Sequence, residues 1–287
     1  MGTGWSAQIV DPPARSESAI EAVLARVIDQ MSNWEADSTI SRFNRLGLRA
    51  WMQLPTDMLT VLRAGLDMAR LSGGAFDPAI GQLVDQWGFG PGHGPAAKSV
   101  TAPWTCIEVE GDRARRRADV ALDFSGIAKG FAVDAAAAQL RAMGVANFLI
   151  EIGGELRGEG IKPDIQPWWV DVESPPDLAV PTLRIALCGQ CVATSGDYRR
   201  FRLEDGARLS HSIDPATGAP IAPGVASVTV LHDSAMMADA WATAITVMGA
   251  GRGMALATRH DLAARLVQRT GDGAQEYMTP ALAAMLE

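Results

Sequence analysis

Cysteine, histidine and long apolar runs are all scarce in this chain. Three cysteines in 287 residues cannot build a disulfide framework. No apolar run approaches the ~18 residues needed to cross a bilayer, so no transmembrane segment is expected. Positive charge is in deficit too: 25 basic against 33 acidic residues give a net charge of −8, with a pI near 5.1. A field of that sign repels a phosphate backbone and argues against a broad nucleic-acid footprint. The N-terminus has neither a basic stretch nor an apolar one behind it, so no signal peptide is visible. There is no internal repeat, and no linker long enough to divide the chain. Residues 1–287 are therefore expected to form one intertwined domain. What is present is an ordinary globular balance, 48% apolar and 20% charged, which excludes disorder.

Periodicity places helices first and strands later. Apolar residues from Ala19 to Met31 recur every three or four positions, predicting a helix over about 18–31. A second helix follows Pro55, with Thr56 as N-cap, and stops at Gly73-Gly74. Asp77-Pro78 reads as N-cap and first position of a short helix, AIGQLVDQW, and Gly88 to Pro103 as loop. A hairpin then turns at Gly111-Asp112. An alanine-rich helix runs from Ala128 to Met143 and closes at Gly144. NFLIEI, WWVDVE, LRIAL, ARLSHSI and ASVTVL read as strands, followed by a helix over about 234–248. The chain ends in a strand, ARLVQR, a turn at 271–273 and a short helix. Without regular β-α alternation, the fold class is α+β.

Several residues resist a packing explanation. The helix SAMMADAWATAITVMG is apolar on every face, hence buried, and its only charge is Asp239. A lone buried carboxylate costs several kcal/mol unless something compensates it. Thr243 lies one turn on, on the same face, and the pair suits a hard cation such as Mg²⁺. The alternative is Asp239 capping a loop while Thr243 bonds back to its own helix. These residues alone leave both open.

In ALDFSGIAKGFAVDAAAA, a strand reaches Asp123 and turns at Ser125-Gly126 before a helix begins at Ala128. Gly126 and Gly130 permit close backbone approach, and Lys129 adds positive charge near helical N–H groups. That is a phosphate cradle or a plain strand-helix turn. Ile152-Gly153-Gly154-Glu155 and Thr194-Ser195-Gly196-Asp197 each end a strand-like run as turns that can also meet phosphate. His211 adjoins hydroxyls and carboxylates and is either a general base or structural, whereas His93 and His260 sit in loop-like or polar contexts and His232 ends a strand. Cys188-x-x-Cys191 has no second pair nearby and reads as two small apolar residues of a strand. Met1-Gly2-Thr3-Gly4-Trp5-Ser6 matches a myristoylation pattern, but an opening strand accounts for the same residues.

Eight stretches together resemble the ApbE family of FAD:protein FMN transferases. They are MGTGWS, MSNWEADSTISRFN, GGAFDPAIGQLVDQWGFG, LDFSGIAKGFAVD, IEIGGELRGEG, VATSGDYRRF, HSIDPATGAP and ADAWATAITVMG, in the family's order over nearly the whole chain. The resemblance implies a T-fold-like α+β architecture, with mixed or antiparallel sheets and flanking helices. It also implies Mg²⁺ as cofactor and FAD as substrate. FMN would pass to a Thr or Ser hydroxyl of a partner flavoprotein, with release of AMP. Some members mainly hydrolyse FAD, so a pyrophosphatase is the alternative, and an FAD carrier without turnover is a third.

By the same resemblance, Asp239, Thr243 and the carbonyl of Gly126 would bind the metal. Met31, Ala75, Phe76, Asp77, Asp123, Lys129 and Ile213 would line the FAD site. Ser195, in the Thr194–Asp197 turn, would lie near the nucleotide, and His211 would be the base for the acceptor hydroxyl. Phe124-Ser125 and Phe131 depart from the Leu-Gly and Tyr often found there, which puts FAD affinity rather than the assignment in question. Many members carry a secretory or lipoprotein signal. As the chain stands the expected location is the cytoplasm, or the periplasm if such a segment has been removed.

Overall fold

The computed structural model of the chain describes residues 3–92, 103–198, 201–204 and 207–286. His93 and most of the expected loop over 88–103 lie outside the described residues. The chain opens with β1 (Trp5–Ile9), α1 (Ser16–Met31), α2 (Thr39–Arg45), β2 (Met52–Gln53), α3 (Thr56–Leu71) and α4 (Gly81–Gln86). A hairpin, β3 (Ile107–Glu110) and β4 (Arg113–Arg116), precedes α5 (Ala128–Ala142), β5 (Phe148–Ile152), β6 (Glu155–Glu159) and β7 (Trp168–Val172). Next come β8 (Leu183–Leu187), β9 (Cys191–Gly196), β10 (Phe201–Glu204), β11 (Ala207–Ser210), β12 (Ile213–Asp214) and β13 (Ala219–Pro220). The chain finishes with β14 (Val225–His232), α6 (Ala235–Arg259), β15 (Ala263–Thr270), β16 (Gly273–Met278) and α7 (Pro280–Leu286).

Seven strands form the central sheet in the order β1-β5-β6-β9-β14-β15-β16, and each neighbouring pair is antiparallel. Strand alternation assigns each side chain to one of two cores. Phe148, Ile150, Cys191, Ala193, Val228 and Val230 face the helices, where they pack with α1, α3, α5 and α6. Val192, Leu231 and Ala263 face the other way, onto the β7–β8 hairpin and Leu282 of α7. The α+β class and antiparallel sheets with flanking helices are as expected from the sequence.

The differences are local and have physical causes. Helix α3 begins at Thr56 itself, with Pro55 as the N-cap and no side-chain cap. Asp77-Pro78 stands ahead of α4, whose N-cap is Ile80. Asp77 instead accepts N–H groups from Ala79 at 2.7 Å and Trp104 at 3.2 Å, tying two segments together. No strand leads to Asp123; an isolated parallel bridge, Ile80 with Ala121, holds that segment. ARLSHSI breaks at His211-Ser212 into β11 and β12. Helix α6 continues past Met248 to Arg259 because Gly249, at φ 73°, absorbs a kink. Helix α2 and strand β16 were not foreseen.

Candidate functional site

The loop between the Ala121 bridge and α5 is shaped by its own polar side chains. Asp123 accepts the Ser125 N–H at 2.7 Å, a local turn that delivers Gly126 to the start of the helix. Asn33 fixes the same loop from outside, donating to the Leu122 carbonyl at 3.0 Å and to Asp123 at 3.4 Å. Gly126 lies against α6: a Cβ built on it would sit 2.8 Å from Thr243 Oγ1. The absence of a side chain there is what lets the Thr243 hydroxyl donate to the Gly126 carbonyl at 3.5 Å. Ser195 Oγ, from β9, is 3.4 Å from the same hydroxyl.

One turn earlier on α6, Asp239 is 2% exposed. Its Oδ2 accepts the Gly130 N–H at 3.1 Å, and Lys129 Nζ lies 3.8 Å from Oδ1. Lys129 also donates to the buried carboxylate of Glu155. Burial raises the pKa of Asp239, against the opposing pull of Lys129 and the Gly130 N–H. Glu155 is pushed up to about 7 by burial, with Lys129 opposing and Asp239 adding to the rise. Two carboxylates thus share one cation in a dry place, and Glu155 Oε2 has no hydrogen-bond partner.

One half of the capping alternative for the α6 pair is corrected, and the other half holds. Thr243 reaches across to the Gly126 loop, and it is Thr246 that bonds back to its own helix, to the Ala242 carbonyl at 2.8 Å. Asp239 bonds the first turn of α5. The Lys129 charge is therefore engaged by protein carboxylates, and the Gly130 N–H is used internally, so the start of α5 is less open as a phosphate cradle than its sequence suggests.

Gly126, Lys129, Ser195, Asp239 and Thr243 form the floor of a cavity of about 530 Å³, whose lining does not include Glu155 or Gly130. Its lining brings together Met31, Ala75, Phe76, Asp77, Asp123, Gly126, Lys129, Ser195, His211, Ile213, Asp239 and Thr243, all of the sequence-derived site residues. Asp77 is raised in pKa by burial, against the lowering effect of its two backbone N–H partners. His211 sits half-buried at the β11–β12 break, its ring 6.4 Å from Phe89 in an edge contact. Of the Thr194–Asp197 segment, the first three residues line the cavity while Asp197 turns away to pair with Arg269 at 2.7 Å. That segment is the end of β9 rather than a turn.

Other lining residues were not singled out from the sequence: Asn33, Trp34, Glu151 and Tyr198 fall inside the matched stretches without an assigned role, and Asp171 and Glu173 gave no signal. Trp34 is 63% exposed and stands alone in a polar stretch, so no periodicity marks it. Glu155 was visible only as a turn residue, although a charge at an inward strand position is the signal that could have found it. The Cys188-x-x-Cys191 pair divides, with Cys188 exposed and Cys191 buried. Burial drives the Cys191 thiol up to about 12, with Asp134 adding and Arg157 opposing, so it stays protonated and inert.

Among the described residues no three His, Cys, Asp or Glu side chains cluster as a metal site. The oxygen donors available are one carboxylate (Asp239), one hydroxyl (Thr243) and one backbone carbonyl (Gly126). Such a set suits a hard divalent ion whose remaining positions are filled by water and substrate oxygens. Gly126, whose Cβ would displace the Thr243 hydroxyl, fits that use.

A family profile described as "ApbE family" matches residues 1–266. The chain is 37% identical over 294 residues to an FAD:protein FMN transferase of Vibrio cholerae, covering 96% of this chain and 88% of that protein. It is 31% identical to the Escherichia coli protein of the same name, over 98% of this chain and 85% of that one. Among solved structures, the apo flavinyl transferase ApbE of Pseudomonas stutzeri superposes with a TM-score of 0.91 at 37% identity, covering 99% and 94% of the two chains. The Thermotoga maritima apbe protein matches with a TM-score of 0.85 at 28% identity, over 99% and 94%.

Proposed function

This chain belongs to the ApbE family, and from that premise we propose that it is an FAD:protein FMN transferase using the cavity above. The observation that carries the assignment to this site is the convergence of every sequence-derived site residue, from six separated segments, on one cavity. In this reading FAD lies across the cavity with its diphosphate over the floor. The acceptor is a Thr or Ser hydroxyl of a partner flavoprotein. Its oxygen attacks the phosphorus on the FMN side, the bridging P–O bond breaks, and AMP leaves with the bridging oxygen.

The protein's own residues account for most requirements of this step. Asp239, Thr243 and the Gly126 carbonyl would hold Mg²⁺, which when bound neutralises diphosphate charge. Lys129 keeps positive charge beside the floor, and Glu155 holds the ammonium in place. A neutral alcohol is a weak nucleophile near pH 7, so a positioned base accelerates the reaction. Among the described residues His211 is the imidazole that lines the cavity, and in this reading it takes the acceptor proton.

The test is incubation with FAD and Mg²⁺, with and without EDTA, beside an acceptor protein carrying a Thr/Ser flavinylation motif. AMP release together with covalent flavin fluorescence on the acceptor, both abolished by EDTA, is the expected result. AMP without labelled acceptor would make the protein a pyrophosphatase, and bound FAD without AMP would make it a carrier. Asp239→Ala is expected to leave a folded protein with no measurable AMP release, and full activity in that variant would overturn the metal assignment.

A further inference from the structure

We infer that Asp134 is a positioning residue: by clamping the N-terminus of α6 onto α5, it brings Asp239 and Thr243 into register with the Gly126 carbonyl. The inference rests on the metal site proposed above. Asp134 lies on α5 but spends its carboxylate on the start of α6, a hundred residues later in the chain. Its Oδ2 accepts Ser234 Oγ at 2.7 Å and the Met236 N–H at 3.0 Å, while Oδ1 accepts the Ala235 N–H at 3.0 Å. The first N–H groups of a helix have no partner within it, and here a neighbouring helix supplies one. Ser234, the N-cap, adds its own bond from the Met237 N–H at 3.3 Å.

The clamp has a second jaw. Arg157 of β6 places Nη1 3.5 Å from Asp134 Oδ1 and donates to the Asp233 carbonyl at 2.8 Å, so the same guanidinium holds the residue before the N-cap. Arg157 is itself held by Glu159 at 2.8 Å, and the buried thiol of Cys191 lies 3.9 Å from Asp134. One turn earlier on α5, a Cβ on Gly130 would lie 2.1 Å from the Ala235 carbonyl oxygen. Two contacts four residues apart on α5 therefore meet the same first turn of α6. With both in place α6 can neither slide nor rotate against α5.

That constraint matters because the proposed donors straddle the two elements. The Gly126 carbonyl stands just before α5, while Asp239 and Thr243 are on α6. A shift of one residue along a helix turns a side chain by about 100°, which would take the Thr243 hydroxyl away from the loop. Asp134 does not line the cavity. Its effect on metal binding passes through the helix it holds.

The test uses the full chain and Mn²⁺ as the probe, followed by electron paramagnetic resonance with FAD present. FAD affinity without metal and the unfolding temperature are measured alongside. Outer partners of metal ligands typically change affinity by about 10- to 100-fold. Asp134→Ala is expected to weaken Mn²⁺ binding at least about tenfold while metal-free FAD binding changes less than about twofold. Asp134→Asn keeps one acceptor oxygen and is expected to fall between the two. Thr279→Ala removes buried hydrogen bonds to Leu262 and to Ala264 of β15, none of which lines the cavity, and controls for lost stability. It should lower the unfolding temperature and leave Mn²⁺ affinity unchanged. Unchanged Mn²⁺ affinity in folded Asp134→Ala, or in Asp134→Asn if the alanine variant does not fold, would overturn the inference. Equal weakening by Thr279→Ala would overturn it too. A wild-type protein that binds no Mn²⁺ beside FAD would instead remove the metal site itself, and the inference with it.

Discussion

The cavity has a floor and a rim, and the two are built differently. The floor is made where the start of α5 meets α6: Gly126 packs on Thr243, and Asp239, 2% exposed, accepts the N–H of Gly130, which lies outside the lining. The rim is made by irregular segments and an added hairpin. His211 sits at a break between two short strands, Trp34 is 63% exposed, and Asp171 of β7 pairs with Arg184 in open solvent. Buried polar groups must find partners, so the floor has one arrangement that satisfies them. Exposed groups exchange with water at little cost, and the rim is under no such constraint. In the proposed reading, metal and diphosphate binding belong on the floor. In the same reading, the acceptor and its base His211 meet at the rim.

The largest effect should come from closing the gap between the two helices. Gly130→Ala places a methyl group 2.1 Å from the Ala235 carbonyl oxygen and 2.7 Å from Met236 Cα, both backbone atoms that no rotamer change can move. Overpacking of this kind costs about 1–3 kcal/mol, and relief requires the helices to part. The expected outcome is a clear fall in unfolding temperature together with loss of metal-dependent AMP release. A variant with wild-type stability and activity would mean that the α5–α6 crossing is not the rigid element of the site.

A rim residue is expected to behave otherwise. His211→Ala should preserve FAD binding within about twofold and leave the fold intact, because the side chain is only half-buried. Transfer to the acceptor should slow by about 10²–10⁴, the usual contribution of a general base. Stopped-time assays of acceptor fluorescence would read this directly. Transfer at the wild-type rate would make His211 a wall of the cavity and nothing more.

The same division decided what could be read from sequence. Asp239 was legible because a single charge in a sixteen-residue apolar stretch has no packing explanation, and burial followed from the pattern itself. The strands facing both cores were legible from alternation. Asp134 was not, since an acid in an alanine-rich helix looks like a solvated position until its partners arrive from residues 234–236. Trp34 carried no signal beyond its place in a matched stretch, for the opposite reason: it lies among polar residues with nothing periodic around it. Helix α2 is seven residues long and polar enough to hide. The second half of α6 was masked by Gly249, Gly251 and Gly253, which read as a stop but accommodate a kink and close contact with Ile245. Strand β16 is an edge strand with a mostly polar sequence, GAQEYM, so its pairing with β15 left no apolar alternation.

The smallest effect is expected where the structure looks most ordered to the eye. Arg184 makes a two-pronged contact with Asp171, at 2.6 and 2.8 Å, across the β7–β8 hairpin, and these hydrogen bonds hold the Asp171 carboxyl below its ordinary range. Yet the two side chains are 65% and 50% exposed, so water and salt can replace each partner. Arg184→Ala should leave the unfolding temperature within about 2 °C of wild type. AMP release without acceptor should be unchanged as well, because the floor is untouched. The informative measurement is KM for the acceptor protein. Asp171 lines the cavity, and freeing it from Arg184 changes the charge that an approaching partner meets. A rise or fall in that KM with constant kcat would assign the hairpin to acceptor recognition. If kcat fell instead, floor and rim would be coupled, and the division between them would have to be redrawn.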